Sequence, residues 1–169
     1  MRGAAALFLT LYLLRALTAE ANSALSGAHV WLFAGGLYVA YSALMLPFWQ
    51  GMAAAILGGL LCDSVAPVAF GTHTALFAVA HVVVYSLRER VQRDETAVRV
   101  AVALVVNLAF FLALSFARLR LVPGAATAWP RMLSDLFWSE AALALAAPWF
   151  FALQLRTLEL ARAQPGRID

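Results

Sequence analysis

Charge is what this sequence has least of: 12% of its 169 residues are charged, against about 25% in soluble domains. Lysine is missing altogether. All twelve basic residues are arginines, and no functional meaning attaches to that choice. Cysteine occurs once, at Cys62 inside an apolar run, which excludes an internal disulfide and a cysteine-rich metal site. The chain also lacks a nucleophile elbow, a phosphate-binding glycine loop and a metal-ligand pair at workable spacing. A non-enzyme without cofactor is therefore expected. The net charge of +3 comes from arginines scattered between apolar runs, not gathered on one polar surface, so nucleic acid is not an expected partner. No internal repeat is present.

What the chain does have is hydrophobic residues, 64% of the total, with a mean hydropathy of +0.83. A bilayer core takes about 20 apolar residues per helix. The composition thus points to an all-α integral membrane protein, a single polytopic domain over 1–169 with no sizeable soluble part. Spans are expected at 3–19, 30–46, 48–62, 71–87, 100–117 and 133–155. The first is interrupted by Arg15 and followed by Ala19, Glu20 and Ala21, so a cleaved signal peptide is the alternative to a retained span. Pro47, Gln50 and Gly51 mark the break after the second span. The third is short enough to be re-entrant. Residues 88–99, RERVQRDETAVR, read as a solvated loop, and 118–131 as a second, with Pro123, Gly124 and Pro130. Six spans with the N-terminus inside put eight arginines on the inner side and Arg118, Arg120 and Arg131 on the outer, which supports N-in and C-in. Trp129, Trp138 and Trp149 suit the membrane interfaces, with Trp138 alternatively facing the bundle.

The most informative stretch is GMAAAILGGLLCDSVAPVAFG, from Gly51 to Gly71. Residues four apart stack on one helix face, so Gly51, Ala55 and Gly59, widened by Ala54 and Gly58, form a file of small residues that ends at Asp63. Such a face lets another helix approach closely, either within the bundle or from a partner protein. Asp63 is costly in the centre of a span, roughly 2.5–3.5 kcal/mol, and less so at its outer end. It could cap the connection by accepting backbone N–H bonds, pair with Arg15, or serve a proton or substrate role.

Further along, His73, Phe77, His81 and Tyr85 fall on one stripe expected to face the bundle. The two histidines are about 12 Å apart by helical rise and cannot share a metal. Asn107 lies mid-span, where an amide can bond across to another helix. Asp135 and Glu140 open the sixth span, where early acids suit the helix dipole, Glu140 being the deeper. Pro148 is expected to kink or stop that span.

The LP pair before a glycine-containing turn, the run GGLLCD and the step to FGTHTALFAVA together resemble the bacterial rod-shape-determining MreD family. The matching positions are Gly59 to Asp63, which end the third span, and Phe70 with Gly71, which open the fourth; Pro67 makes the turn between them. The arginine-rich loop and the Pro148, Trp149 pair before a basic tail are similar too. The resemblance implies a non-enzymatic component of the bacterial inner membrane acting in cell elongation and peptidoglycan synthesis. Its implied partners are MreC and, through it, MreB, RodA and a class B penicillin-binding protein, besides membrane lipid. It also implies a fold resembling the substrate-binding subunits of energy-coupling-factor transporters. A small-solute or vitamin-binding transporter subunit is therefore the second reading. Those subunits dock through an Ala-x-x-x-Ala pair in the first span, which residues 3–19 lack. On the first reading, the small face of the third span is expected to hold the transmembrane helix of MreC.

Overall fold

The apolar runs fold as helices, because a backbone in apolar surroundings must satisfy its own N–H and C=O groups. The computed structural model describes residues 2–25, 27, 32–65, 69–90, 95–119 and 129–163, with backbone alone at 2–11, 15, 118–119 and 157–163. Among the described residues there are six helices and no strand: α1 (Arg2–Leu25), α2 (Gly35–Met45), α3 (Phe48–Asp63), α4 (Thr72–Leu87), α5 (Thr96–Leu119) and α6 (Trp129–Ala163).

The short helix α2 is the centre of the bundle. Every residue from Gly35 to Leu44 is buried, as expected of a helix that is apolar on all sides. It packs on α3, α4 and α5 and touches α6 at its edge, while α1 leans on α3 and α6. Pro47 ends α2 by local sterics: the residue before a proline is pushed out of the helical region, and Leu46 is extended at φ −101°, ψ 156°. Pro47 then serves as N-cap of α3, its carbonyl accepting the Gly51 N–H at 2.9 Å. The chain reverses again after Asp63, and α3 and α4 form the most extensively packed pair in the molecule.

Several boundaries differ from expectation. Helix α1 runs unbroken through Ala19, Glu20 and Ala21 to Leu25. Helix α2 begins at Gly35 instead of residue 30 and is only about 16 Å long, less than the roughly 30 Å of a bilayer core. Helix α6 starts at Trp129 and continues through Pro148 to Ala163, so the proline does not stop it. The dipole reading of Asp135 and Glu140 fails for the same reason. With Trp129 as first residue neither acid is in the first turn, beyond which the dipole's effect is spent.

Among the described residues, α5 and α6 are long and apolar enough to cross a membrane, and α3 and α4 are shorter apolar helices. The outward faces carry many exposed apolar side chains: Leu13 and Leu17 on α1, Leu57 on α3, Val82 and Val83 on α4, Leu112 and Phe116 on α5, Leu145 and Leu153 on α6. Trp138 is half exposed and Trp149 is 81% exposed, so Trp138 faces outward and not into the bundle.

Candidate functional site

The file of small residues is used up inside the bundle. A Cβ on Gly59 would stand 2.7 Å from the Thr74 backbone nitrogen, and one on Gly51 would lie 2.5 Å from the Ser42 carbonyl oxygen and collide with the His81 ring. Ala54, Ala55 and Gly58 are buried as well, and the Ala54 carbonyl accepts the Tyr38 hydroxyl at 3.0 Å. Of the two uses expected for this face, within the bundle or towards a partner, the contacts described are those within the bundle: α2 and α4 pack on it.

At the end of the file, α3 delivers Asp63 to the start of α4. The Asp63 side chain is buried and accepts five hydrogen bonds. Oδ1 takes the His73 N–H at 2.8 Å and the His73 Nδ1–H at 2.9 Å. Oδ2 takes the Gly71 N–H at 3.0 Å, the Thr74 N–H at 3.1 Å and the Thr74 hydroxyl at 2.7 Å. A helix N-terminus offers unpaired N–H donors and a positive dipole end. Helices ordinarily cap these donors with their own N-cap side chain. Here the N-cap is Gly71, at φ +93°, where a side chain would be strained, and the carboxylate comes from the preceding helix eight residues away. Asp63 lies just beyond the 48–62 span. Burial pushes its carboxyl up, but the bonds from His73 and Thr74 outweigh this and hold it at about 2, below its ordinary 3.8. The anion site at the N-terminus of α4 is thus filled by the chain's own carboxylate. Phe70 is exposed on the adjoining turn, and Pro67 lies outside the described residues. The side chain of Arg15 also lies outside them.

The histidine stripe faces inward: His73, Phe77 and His81 are buried and Tyr85 is half-buried. His81 bridges three helices, with Nε2 3.3 Å from the Phe48 carbonyl and Nδ1 3.4 Å from the Ser42 hydroxyl. Nearby, the Arg88 guanidinium lies 3.7 Å over the Tyr85 ring and donates to the Leu46 carbonyl at 3.3 Å, tying the end of α4 to the end of α2. Among the described residues no group of three His, Cys, Asp or Glu side chains could hold a metal ion. No known protein family, curated protein or solved structure matches this chain. The chemistry must be read from its own geometry.

A second polar cluster gathers where α2 begins. Asn107 of α5 accepts the Gly36 N–H at 3.2 Å and donates to Glu140 of α6 at 3.0 Å. Ser139 accepts the Phe33 N–H at 3.1 Å, and Asn22 of α1 both accepts the Leu32 N–H at 2.6 Å and donates to the Leu32 carbonyl at 3.0 Å. Side chains from α1, α5 and α6 thus converge on residues 32–36. Asp135 is half-buried further towards the start of α6. Asn107 and Glu140 are legible in the sequence as polar residues within apolar runs. Asn22 and Ser139 are not, since the first follows the apolar run of α1 and the second is too small to stand out. Among the described residues, the hydrogen bonds of both clusters run between groups of the chain itself.

Proposed function

We propose that this chain is a six-span, N-in and C-in component of the bacterial inner membrane that scaffolds the cell-elongation machinery, as members of the MreD family do. The observation that carries the reading is that the two halves of the resembling motif meet. Gly59 to Asp63 and Phe70 to Gly71 belong to one hairpin, in which the Gly71 N–H binds the Asp63 carboxylate at 3.0 Å. A motif that builds such a hairpin would serve architecture, as a scaffold requires. The apolar outward faces of α1, α3, α4, α5 and α6 agree with a membrane setting. Helices α3 and α4, each about 24 Å long, would then cross a locally thinned bilayer, and α2, enclosed by its neighbours, would complete the sixth crossing together with the non-helical residues 32–34 before it.

The bitopic protein MreC is the first partner on this reading, with MreB, RodA and a class B penicillin-binding protein reached through it. Its helix would rest on an outward apolar face, since the small face of α3 is occupied. Six helices are also the number expected on the second reading, a substrate-binding subunit of an energy-coupling-factor transporter. However, the described cleft between α4 and α5 is lined by apolar side chains and offers a polar vitamin no partner. Deleting the gene in its own bacterium should turn rods into spheres, with shape restored by the wild-type copy and MreC co-purifying with it. Cells that stay rod-shaped without the gene would overturn the assignment.

A further inference from the structure

Glu140 stands where a carboxylate is costly, seven residues into the expected 133–155 span and so about 10 Å below its outer end. Its burial is incomplete. One oxygen takes the Asn107 amide at 3.0 Å, while the other meets no second donor among the described residues and reaches the surface at the seam of α5 and α6. One turn further along the same face stands Ala144, and another turn on Pro148, both exposed. Proline has no N–H, so α6, which continues through it, leaves the Ala144 carbonyl without its helical donor. Two acceptors short of a donor thus share one face of α6. We propose that this face, from Phe137 to Pro148, docks a transmembrane helix of a partner protein that brings an arginine or lysine to Glu140 and a hydroxyl to the Ala144 carbonyl. The inference rests on the membrane part of the reading above, not on the role in cell shape.

Charge complementarity decides what covers the face. In lipid a carboxylate pairs with a cation or takes up a proton. A proton alone would neutralise Glu140 but leave the Ala144 carbonyl bare, because helical side chains lean towards the helix N-terminus and carry the Glu140 carboxyl away from it. A lipid tail offers neither group a donor. Among the described side chains the exposed arginines, Arg90, Arg131 and Arg156, lie outside the spans, so a second copy of this chain brings none of them to that depth. The surface also admits a helix: Ala141 and Ala144 are small, and Phe137, 66% exposed, stands one turn above Glu140. Small residues beside a polar one are what membrane helices use to approach each other.

The test places a photoreactive phenylalanine derivative at position 137 of the full chain, in its own membrane, and identifies the adducts by mass spectrometry. A membrane protein with a basic residue in the outer half of its transmembrane helix should be captured. Glu140→Gln keeps the acceptor for Asn107 and should leave the thermal midpoint close to that of the wild type, yet lower the adduct about tenfold. Changing the basic residue of the captured helix to leucine should have the same effect, and the two changes together should lose no more than either alone. Pro148→Ala returns an N–H to α6, which should raise the thermal midpoint while lowering the adduct about threefold, the worth of one hydrogen bond between membrane helices. Adducts to lipid alone, to a second copy of this chain or to a helix without a basic residue would each overturn the proposal, as would a yield unchanged in Glu140→Gln. Protein that inserts and gives such adducts removes the docking assignment alone, whereas failure to insert removes the membrane reading with it.

Discussion

Asp63 occupies the C-terminal end of α3, where the helix dipole is unfavourable to a carboxylate, yet it faces the favourable N-terminus of α4. Five donors tilt that balance towards the anion. Replacing Asp63 by Ala removes the cap and leaves buried N–H groups without an acceptor, at a cost of about 2–3 kcal/mol, while Asn keeps one acceptor and loses less. The thermal midpoint of the purified protein in detergent measures this, and equal midpoints for wild type and Asp63→Ala would show that the cap is dispensable. The sign of the pH effect follows from the lowered carboxyl, about 2 folded against 3.8. Its contribution is complete above about pH 4 and is lost as pH falls through about 2. Between about pH 5 and about pH 2 the wild-type midpoint should therefore fall more than that of Asp63→Asn, the other carboxylates being common to both.

At the scale of elements, the α3–α4 hairpin depends on backbone proximity at Gly59. Since the atom met by an added Cβ is backbone and cannot swing away, Gly59→Ala should cost about 1–3 kcal/mol and Gly59→Leu should abolish accumulation in the membrane. The loss is one of folding, so the small amount of Gly59→Ala protein that inserts should still bind its partner, which pull-down normalised to protein level would measure. The start of α2 depends instead on side chains. Asn107→Leu withdraws the acceptor of the Gly36 N–H and the donor to Glu140, for a cost of about 1–2 kcal/mol, whereas Glu140→Gln keeps an acceptor for Asn107 and should cost less. A ranking in which Glu140→Gln is the worse of the two in thermal unfolding would contradict this network.

For the whole molecule, the proposed topology places the α3–α4 turn outside and residues 88–99 inside. Cys62 is the single cysteine, so Cys62→Ser supplies a background in which new cysteines report sidedness. Val65→Cys should react with a membrane-impermeant thiol reagent on intact spheroplasts, and Glu89→Cys only after permeabilisation. The reverse pattern would invert the molecule. The apolar coat and the arginine bias are independent observations, and both must hold for a bundle oriented this way.

The sequence alone determined that this chain is helical, where Pro47 breaks it, which stripe of α4 turns inward and that Asp63 is exceptional. Each is a local consequence of hydrophobic run length, proline sterics, helical period or an isolated charge. Only the tertiary structure decided that α2 is the enclosed centre, because hydropathy is the same for a residue facing lipid and one facing another helix. It also decided that the small face of α3 packs against α2 and α4, and that Asp63 caps a helix. Likewise, Gly36 meets Asn107 across 71 residues of chain, and Ser139 reaches Phe33 across 106. In apolar surroundings each backbone group must find a partner, so helix formation is dictated nearby, whereas the choice of neighbours is made by groups far apart in the chain.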